Sequence, residues 1–565
     1  MKTIHLSQIA ELSDHPCQDE IHLFTQFFIH KKHQRNKEIN VCLNNNANNP
    51  HINKIHLLNE RMYTHQELNV ANNHQKIKQE NIGQRITFKH IIQYIRTQNI
   101  KGYFIFSNMD IFFDDTLKNV KKSTIHEQKK MFALLRYEYN DTNPTQSNIF
   151  GPRFDSQDTW IFHSNHFIQS HQEKIMNIPF GQPGCDNKIV YLMNVLGFEV
   201  INDPHFIKTY HYHKETTRNY TIKGIIGEPW GFAVPCHCDL LRLPTSLGVN
   251  LFQVYQHTRG FKDVNFNDNK TIHDYIKNKI SENKHFIIPR VSVIENNLAV
   301  FARMLKKNNN LISTNVQQII PEIHKMIPEM KNNAGIQLSG LQSIIKYSDM
   351  YLSAFENCEM FAGWEIQGNQ VKQMQTSYNY ILQNYASNKQ IIWALNFDIF
   401  HYIYNQPWTF ALKGKKILLI SCFEESLKKQ IPIREKIYDG VDLFPECVFE
   451  ILKPPMTNAN NPSEEFDVEL IRFYEKLNVV KNQYDVALVS AGGYSTIICN
   501  HIFNSGKSAI QVSGVLQMYF GILGKRWLKE RKDVVQLFMN EHWTKPLETE
   551  KPQNWENVEG GCYWI

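Results

Sequence analysis

Apolar residues in this chain come in short runs, separated by amphipathic stretches and by turns rich in Asn, Gly and Pro. The run Ile21–His30 (IHLFTQFFIH) predicts a buried strand, and Ile52–Leu58 a second one. Phe88–Ile95 (FKHIIQYI) has its apolar residues at helical spacing, and Gly102–Ser107 (GYFIFS) predicts the next strand. This alternation predicts a parallel sheet with helices on both faces and ligands at the carboxyl ends of its strands. The rhythm lapses between about Thr221 and Lys270, where GEPWG and PCHC are turn-rich.

A second alternating unit begins near Lys284. Phe286–Val293 (FIIPRVSV) predicts a strand and Glu295–Lys306 the helix after it. Lys416–Ser421 (KILLIS) is the most apolar strand candidate. Asp485–Ser490 is followed at once by AGGYS and a helix over Thr496–Asn504, then Ser508–Val512 by Ser513-Gly514. The expectation is therefore an α/β protein with two Rossmann-like domains, 1–225 and 276–565, joined by a connecting segment over 226–275. A chain of 565 residues agrees with more than one domain of roughly 100–200 residues.

Composition narrows the class. With 42% hydrophobic and 21% charged residues the chain is neither disordered nor collagen-like. No apolar run reaches the ~18 residues of a membrane span. The opening MKTIHLSQIAELSDHPCQDE carries charge where a secretory leader needs an apolar stretch, so a cytoplasmic location is expected. The net charge of +6 is spread along the chain. The pI of 8.6 lies below the ~9 of an electrostatic nucleic-acid footprint, so no nucleic-acid partner is expected. Mild basicity suits anionic small molecules such as nucleotide phosphates. Ten scattered cysteines, close together only at Cys236-His237-Cys238, predict reduced thiols. Self-association is left open.

Three segments carry candidate chemistry. Asn108, Asp110, Asp114 and Asp115 follow a buried strand, where carboxylates are costly unless paired or bound to a cation. A hard divalent cation on a diphosphate is one partner, and helix capping by Asp114-Asp115 is the alternative. His211 and His213 lie at period two, on one side of an extended segment, and could complete a metal site begun by Asp110. In GQPGCDN, a tight turn presents Asp186 in the first turn of a helix, as a cap or as a general base for an acceptor hydroxyl. Upstream, DSQDTWIF sets Asp155 and Asp158 before a strand, with Trp160 able to stack on a sugar.

The order SNMDIFFDD, LLRYEY, DSQDTWIF, PFGQPGCDN and INDPHFIKTYHYH resembles a GT-A glycosyltransferase domain over about residues 18–220. The resemblance implies a nucleotide-sugar donor, a UDP- or GDP-sugar, and a divalent cation, Mn²⁺ or Mg²⁺. Asn108 and Asp110 would form a degenerate DxD motif, with Arg136 also at the donor and His211 or His213 on the metal. Asp186 would be the catalytic base of an inverting enzyme, with Asp158 next in line. Asn108 stands where that family often has Asp. The C-terminal half, with KKILLIS, DVALVSAGGYS, GKSAIQVSGVLQMYFGILGKRW and VEGGCYW, resembles GT-D-type glycosyltransferases of polysaccharide biosynthesis. It keeps Arg290 and Glu295 of their Asp-Gly-Glu-like motif but lacks the Asp and Gly. Physically, Gly492, Gly493 and Tyr494 end a strand as an anion cradle, and Lys525 and Arg526 could meet a diphosphate. The resulting expectation is a bifunctional glycosyltransferase acting on a glycan acceptor. Its alternatives are one active domain beside a degenerate binding domain, or a non-catalytic glycan-binding protein.

Overall fold

The computed structural model describes residues 2–6, 9–151, 153–215, 224–227, 229–236, 266–307, 316–364, 369–399, 403–404, 406–531, 535 and 537–565. His237 and Cys238 lie outside them, and the nine described cysteines are all free thiols. The chain divides into two compact units, Met1–Asp263 and Val264–Ile565. The stretch expected to connect them contains regular structure. Trp230–Val234 is a strand of the first unit, paired in parallel with Lys2–Leu6, and Phe266–Ser281 is a helix of the second.

In chain order the first unit holds β1 (Lys2–Leu6), β2 (Ile21–Thr25), α1 (His33–Asn48), β3 (Lys54–Asn59), β4 (Ile77–Asn81), α2 (Phe88–Thr97), β5 (Tyr103–Ser107) and β6 (Ile111–Phe113). There follow β7 (Lys130–Leu134), β8 (Tyr137–Glu138), β9 (Asn148–Ile149), β10 (Thr159–His163), α3 (Cys185–Val195), β11 (Glu199–Ile201), β12 (Thr209–His211) and β13 (Trp230–Val234). The main sheet has seven strands in the order β11-β7-β10-β5-β2-β3-β4. It is mixed rather than parallel, because β10 runs antiparallel to both β5 and β7. β2 and β5 are buried along their whole length, as interior strands covered on both faces must be. β2 stops at Thr25, short of the expected run, and the Gln26 amide then bonds the Leu58 and Gln84 carbonyls.

α2 forms for legible reasons. Thr87 caps it by accepting from the His90 N–H at 3.2 Å, and Phe88, Ile91, Ile92 and Ile95 make one buried stripe. Each of those side chains contributes ~1.5–3 kcal/mol of transfer free energy. α3 starts after Gly184, whose φ of +82° only glycine holds cheaply, and where a Cβ would lie 2.9 Å from the Ile226 carbonyl. That turn sets the position of Asp186.

The second unit is built on a five-stranded parallel sheet: β14 (Ile287–Ile288), β17 (Lys416–Ile420), β18 (Val448–Leu452), β19 (Val486–Val489) and β20 (Ser508–Gln511). β15 (Met360–Gly363) and β16 (Gln390–Trp393) pair separately. The sheet order is β14-β20-β19-β17-β18. The expected strand over Phe286–Val293 is only two residues long. Pro289 has no N–H for the ladder, and the helix α5 (Val293–Lys307, after α4 at Phe266–Ser281) then begins. No helix of the described residues is long and apolar enough to cross a membrane.

Candidate functional site

A cleft of 1620 Å³ opens at the carboxyl ends of β2 and β5. Strand registers assemble its charged wall. β12 pairs with β6 so that His211 lies opposite Ile111, next to Asp110, and pairs with β8 so that His211 lies beside Glu138. The His211 ring spans the two carboxylates, its Nε2 3.2 Å from Asp110 Oδ2 and its Nδ1 3.2 Å from Glu138 Oε2. His213 stacks on His211, with ring centroids 5.0 Å apart. One ligand atom each from Asp110, His211 and His213 lies within 4.8 Å of the others.

Arg35 of α1 enters the same cluster. Its guanidinium donates to Asp110 Oδ2 at 2.6 Å and to Glu38 Oε2 at 2.9 Å, and lies 3.0 Å from His213 Nδ1. Glu38 is fully buried and also accepts the Lys214 and Glu215 N–H groups. Burial opposes ionisation of Asp110, but His211 and Arg35 outweigh it and hold the carboxyl well below the usual range. Burial likewise disfavours cationic His211, yet Asp110 and Glu138 push it up to about 9. His213 is lowered, by burial and by the charges of His211 and Arg35. This wall is an internally neutralised network of alternating charge.

Asp186 differs. It sits half-buried among the cleft's lining residues, in the first turn of α3, and makes no ion pair among the described residues. Burial, helped by the charge of Asp158, pushes its pKa up to about 7. A carboxylate poised there can accept a proton from a hydroxyl near neutral pH.

Other candidates have structural employment. Asn108 donates to Asp158 Oδ1 at 2.8 Å, and Arg136 bonds Asp158, Ser156 and Glu138 and lies over the Phe150 ring. Both Asp158 oxygens are thus engaged, whereas Asp186 makes no ion pair among the described residues. Trp160 is 1% exposed, packed edge-on against Phe88 and Phe180, and presents no face to a sugar. Asp114 caps the turn after it, accepting from the Thr116 N–H at 2.9 Å, and Asp115 pairs with His51 and Lys118.

In the second unit, protein packs closely against the glycine turn expected as an anion cradle. A Cβ on Gly493 would lie 2.6 Å from Ile336 Cγ1 and 2.9 Å from Ala334 Cβ, so protein fills the approach that glycine permits. The Gly493 carbonyl accepts from Tyr347, and Tyr494 is 1% exposed. Gly492 is exposed, with a φ of +54° that fits a turn. Lys525 bonds the Gly560 carbonyl, and Arg526 pairs with Glu559 and lies over Tyr563. Arg290 and Glu295 lie after β14, Glu295 in the first turn of α5.

Sequence reasoning missed Arg35, Glu38 and Glu138. The basic run around Arg35 reads as a solvated face. A signal did exist, since Glu38, Cys42 and Asn46 fall at i, i+4 and i+8 on the buried side of α1, with Arg35 one turn before Glu38.

No family model matches this chain, and no curated protein does. Among solved structures it is similar to the mannosyltransferase PcManGT from Pyrobaculum calidifontis in complex with GDP-Man and Mn²⁺. That likeness has 10% identity and a TM-score of 0.26, over 38% of this chain and 62% of that one, less than two thirds of its length. It is also similar to a glycosyltransferase (DUF1792) from Streptococcus sanguinis, at 10% identity and a TM-score of 0.27, over 46% of this chain and 84% of that one. With TM-scores of this size neither likeness carries chemistry from those proteins to this chain.

Proposed function

We propose that the first unit is a glycosyltransferase that binds a nucleotide sugar in its cleft and transfers the sugar to a hydroxyl of a glycan acceptor. The observation that carries this is one cleft holding a charge-neutralising cluster at Asp110, His211 and His213 and a separate carboxylate, Asp186, with a pKa of about 7. The motif order of the N-terminal half supports the same reading.

One carboxylate oxygen and two imidazole nitrogens suit Mn²⁺ better than Mg²⁺, which prefers oxygen throughout. Asp110, His211 and His213 would hold the ion, which when bound offsets charge on a leaving diphosphate. Arg35 keeps Asp110 ionised and in place, donating to the same Oδ2 that His211 faces. Asp186 takes the acceptor proton at its carboxylate as the acceptor oxygen attacks the anomeric carbon of the sugar on the face opposite the bond to the diphosphate. That bond breaks and its electron pair leaves with the diphosphate, so a single displacement inverts the carbon. The second unit is read as a nucleotide- or acceptor-binding partner rather than a second catalyst, because its glycine turn is packed by Ala334 and Ile336.

The test is release of UDP or GDP from nucleotide sugars by the full chain with a glycan acceptor, with and without Mn²⁺, in wild type and Asp110→Ala. Acceptor-stimulated release that the variant loses supports the reading. No release from any nucleotide sugar, or a variant equal to wild type, sinks it.

A further inference from the structure

Among the described residues, two sets of three His, Cys, Asp or Glu side chains each bring their ligand atoms within 4.8 Å of one another. One is the Asp110 cluster of the cleft. The other is Cys17, Asp19 and His163, which the transfer reading does not use. It lies at the amino end of β5, whereas the cleft opens at the carboxyl end, and none of its members lines that cleft. Four residue steps of ~3.3 Å separate the two ends.

The fold brings three segments to this point. His163 ends β10 and lies opposite Tyr103, the first residue of β5, in the antiparallel register. The Tyr103 N–H donates to the Glu20 carbonyl at 2.8 Å, and the Cys17 N–H to the Lys121 carbonyl at 3.1 Å, which ties the segment before β2 in place. That approach needs the glycine at 102, where a Cβ would collide with the Glu20 carbonyl oxygen.

His163 is fully buried, and its Nε2 lies 3.0 Å from Asp19 Oδ2. Its Nδ1 accepts the Asn165 N–H at 3.2 Å, which fixes the ring with Nε2 toward Asp19. Cys17 is half-buried and Asp19 exposed, so the set is open to solvent on one side. The Tyr103 hydroxyl is an independent sign. It is buried and makes no hydrogen bond of good geometry among the described residues, yet it lies close enough to Cys17 and Asp19 for their charges to act on it. A buried hydroxyl left unpaired is costly, and a polar ligand in this space would remove the cost. In a tetrahedral zinc site with bonds of ~2.0–2.3 Å the ligand atoms stand about 3.3–3.8 Å apart, so these three need to close by only about 1 Å. Rotation of the Cys17 and Asp19 side chains covers that distance.

We propose that Cys17 Sγ, Asp19 Oδ2 and His163 Nε2 bind a Zn²⁺ ion that clamps the segment before β2 to the paired ends of β5 and β10. Thiolate and imidazole ligands select Zn²⁺ over Mg²⁺ and Ca²⁺, which prefer oxygen. On binding, the Cys17 thiol releases its proton to solvent. The proton that His163 Nε2 shares with Asp19 moves to Nδ1, and the Asn165 N–H gives up that acceptor. Water takes the fourth position, where the Tyr103 hydroxyl gains a partner. The clamp is independent of sugar transfer in the cleft, and neither stands or falls with the other.

Co²⁺, which absorbs strongly when bound to thiolate, tests this on the metal-stripped full chain under reducing conditions. A stoichiometric sulfur-to-cobalt charge-transfer band in the near ultraviolet is expected, and Zn²⁺ should displace it. The band should vanish in Cys17→Ser, a one-atom change. In Asp19→Asn its affinity should fall at least ~10-fold, the loss that even outer-shell partners of a metal cause. It should persist in Asp110→Ala, which disables the cleft cluster instead. Hydrogen exchange at the Cys17 and Tyr103 amides should slow when Zn²⁺ is added. No thiolate band with Co²⁺ in excess overturns the proposal, as does a band that Cys17→Ser retains, a band lost in Asp110→Ala, or unchanged exchange at both amides. The wild-type band and exchange need no variant to fold.

Discussion

Two strand ends look alike in the sequence and have opposite fates. In the first unit β5 ends on Asn108-Met109-Asp110, and the polar groups there line an open cleft and bond one another. In the second, β19 ends near Gly492-Gly493-Tyr494, and the space that glycine frees is filled by Ala334 and Ile336. A glycine turn after a buried strand therefore indicates that something approaches the backbone closely, but not whether it is ligand or protein. A buried carboxylate is more informative, because ionisation must be compensated by an identifiable partner.

The sharpest test of the open cleft is Asp186→Asn. The shape barely changes, while the proton acceptor is lost, so sugar transfer should fall ~10²–10⁴-fold with donor binding retained. Transfer kinetics and nucleotide-sugar titration on the full chain measure the two. A fall in rate of less than about threefold, under ~1 kcal/mol, would reassign Asp186 to structure.

The packed turn should respond differently. Gly493→Ala forces a methyl against Ile336 and Ala334, and about 1–3 kcal/mol of destabilisation in the second unit is expected. Hydrogen exchange should report faster opening of β19 and β20, with α3 unaffected. Wild-type protection in that variant would show that Ile336 and Ala334 give way without cost and that the turn is not tightly packed.

Acid should also separate the units. His22 and His56, on neighbouring strands with Nδ1 and Nε2 3.1 Å apart, are buried, and desolvation lowers both, His56 to about 3. Their folded-state pKa values lie below the unfolded value of ~6.5, so the folded state binds fewer protons there. Stability from this pair is complete above that value and is lost as pH falls from it toward 3. Asp186 and Glu295, each raised to about 7, have the opposite sign: their contribution is in place at low pH and is lost as pH rises through 7. Burial also lowers His90, His163, His166 and His213 in the first unit, so with His22 and His56 the lowered histidines outnumber the two opposing groups, Asp186 and the raised His211. Between pH 7.5 and 5.5 the histidine pair should cost the first unit about 1–2 kcal/mol. Faster exchange in β2 and β3 than in β19 and β20 at the lower pH is the expected outcome, and the reverse order would refute it.

The smallest effect is expected at Lys525. It is exposed and bonds only a carbonyl, so Lys525→Ala should change stability by less than about 0.5 kcal/mol in a denaturant titration. A loss above about 1 kcal/mol would give Lys525 a structural weight that its single bond to Gly560 does not explain.

Alternation of apolar runs with amphipathic stretches was enough to locate most strands and helices, because burial of whole strands and of helical stripes leaves a periodic trace. It also indicated Asp110, His211, His213 and Asp186, since a carboxylate beside an apolar strand or a glycine turn needs a reason. The antiparallel course of β10 was not legible, because a strand carries no mark of its direction. Nor was Trp160's burial, which depends on Phe88 and Phe180 arriving from distant segments. The sequence by itself determined the elements, the α/β class and the segments that meet in the candidate cleft. Only the tertiary structure decided which charges meet. Arg35 reaches Asp110 across 75 positions of sequence, and His211 reaches it across 101. Local patterning records how each segment is buried, whereas electrostatic partnership depends on distances that exist only after the strands have paired.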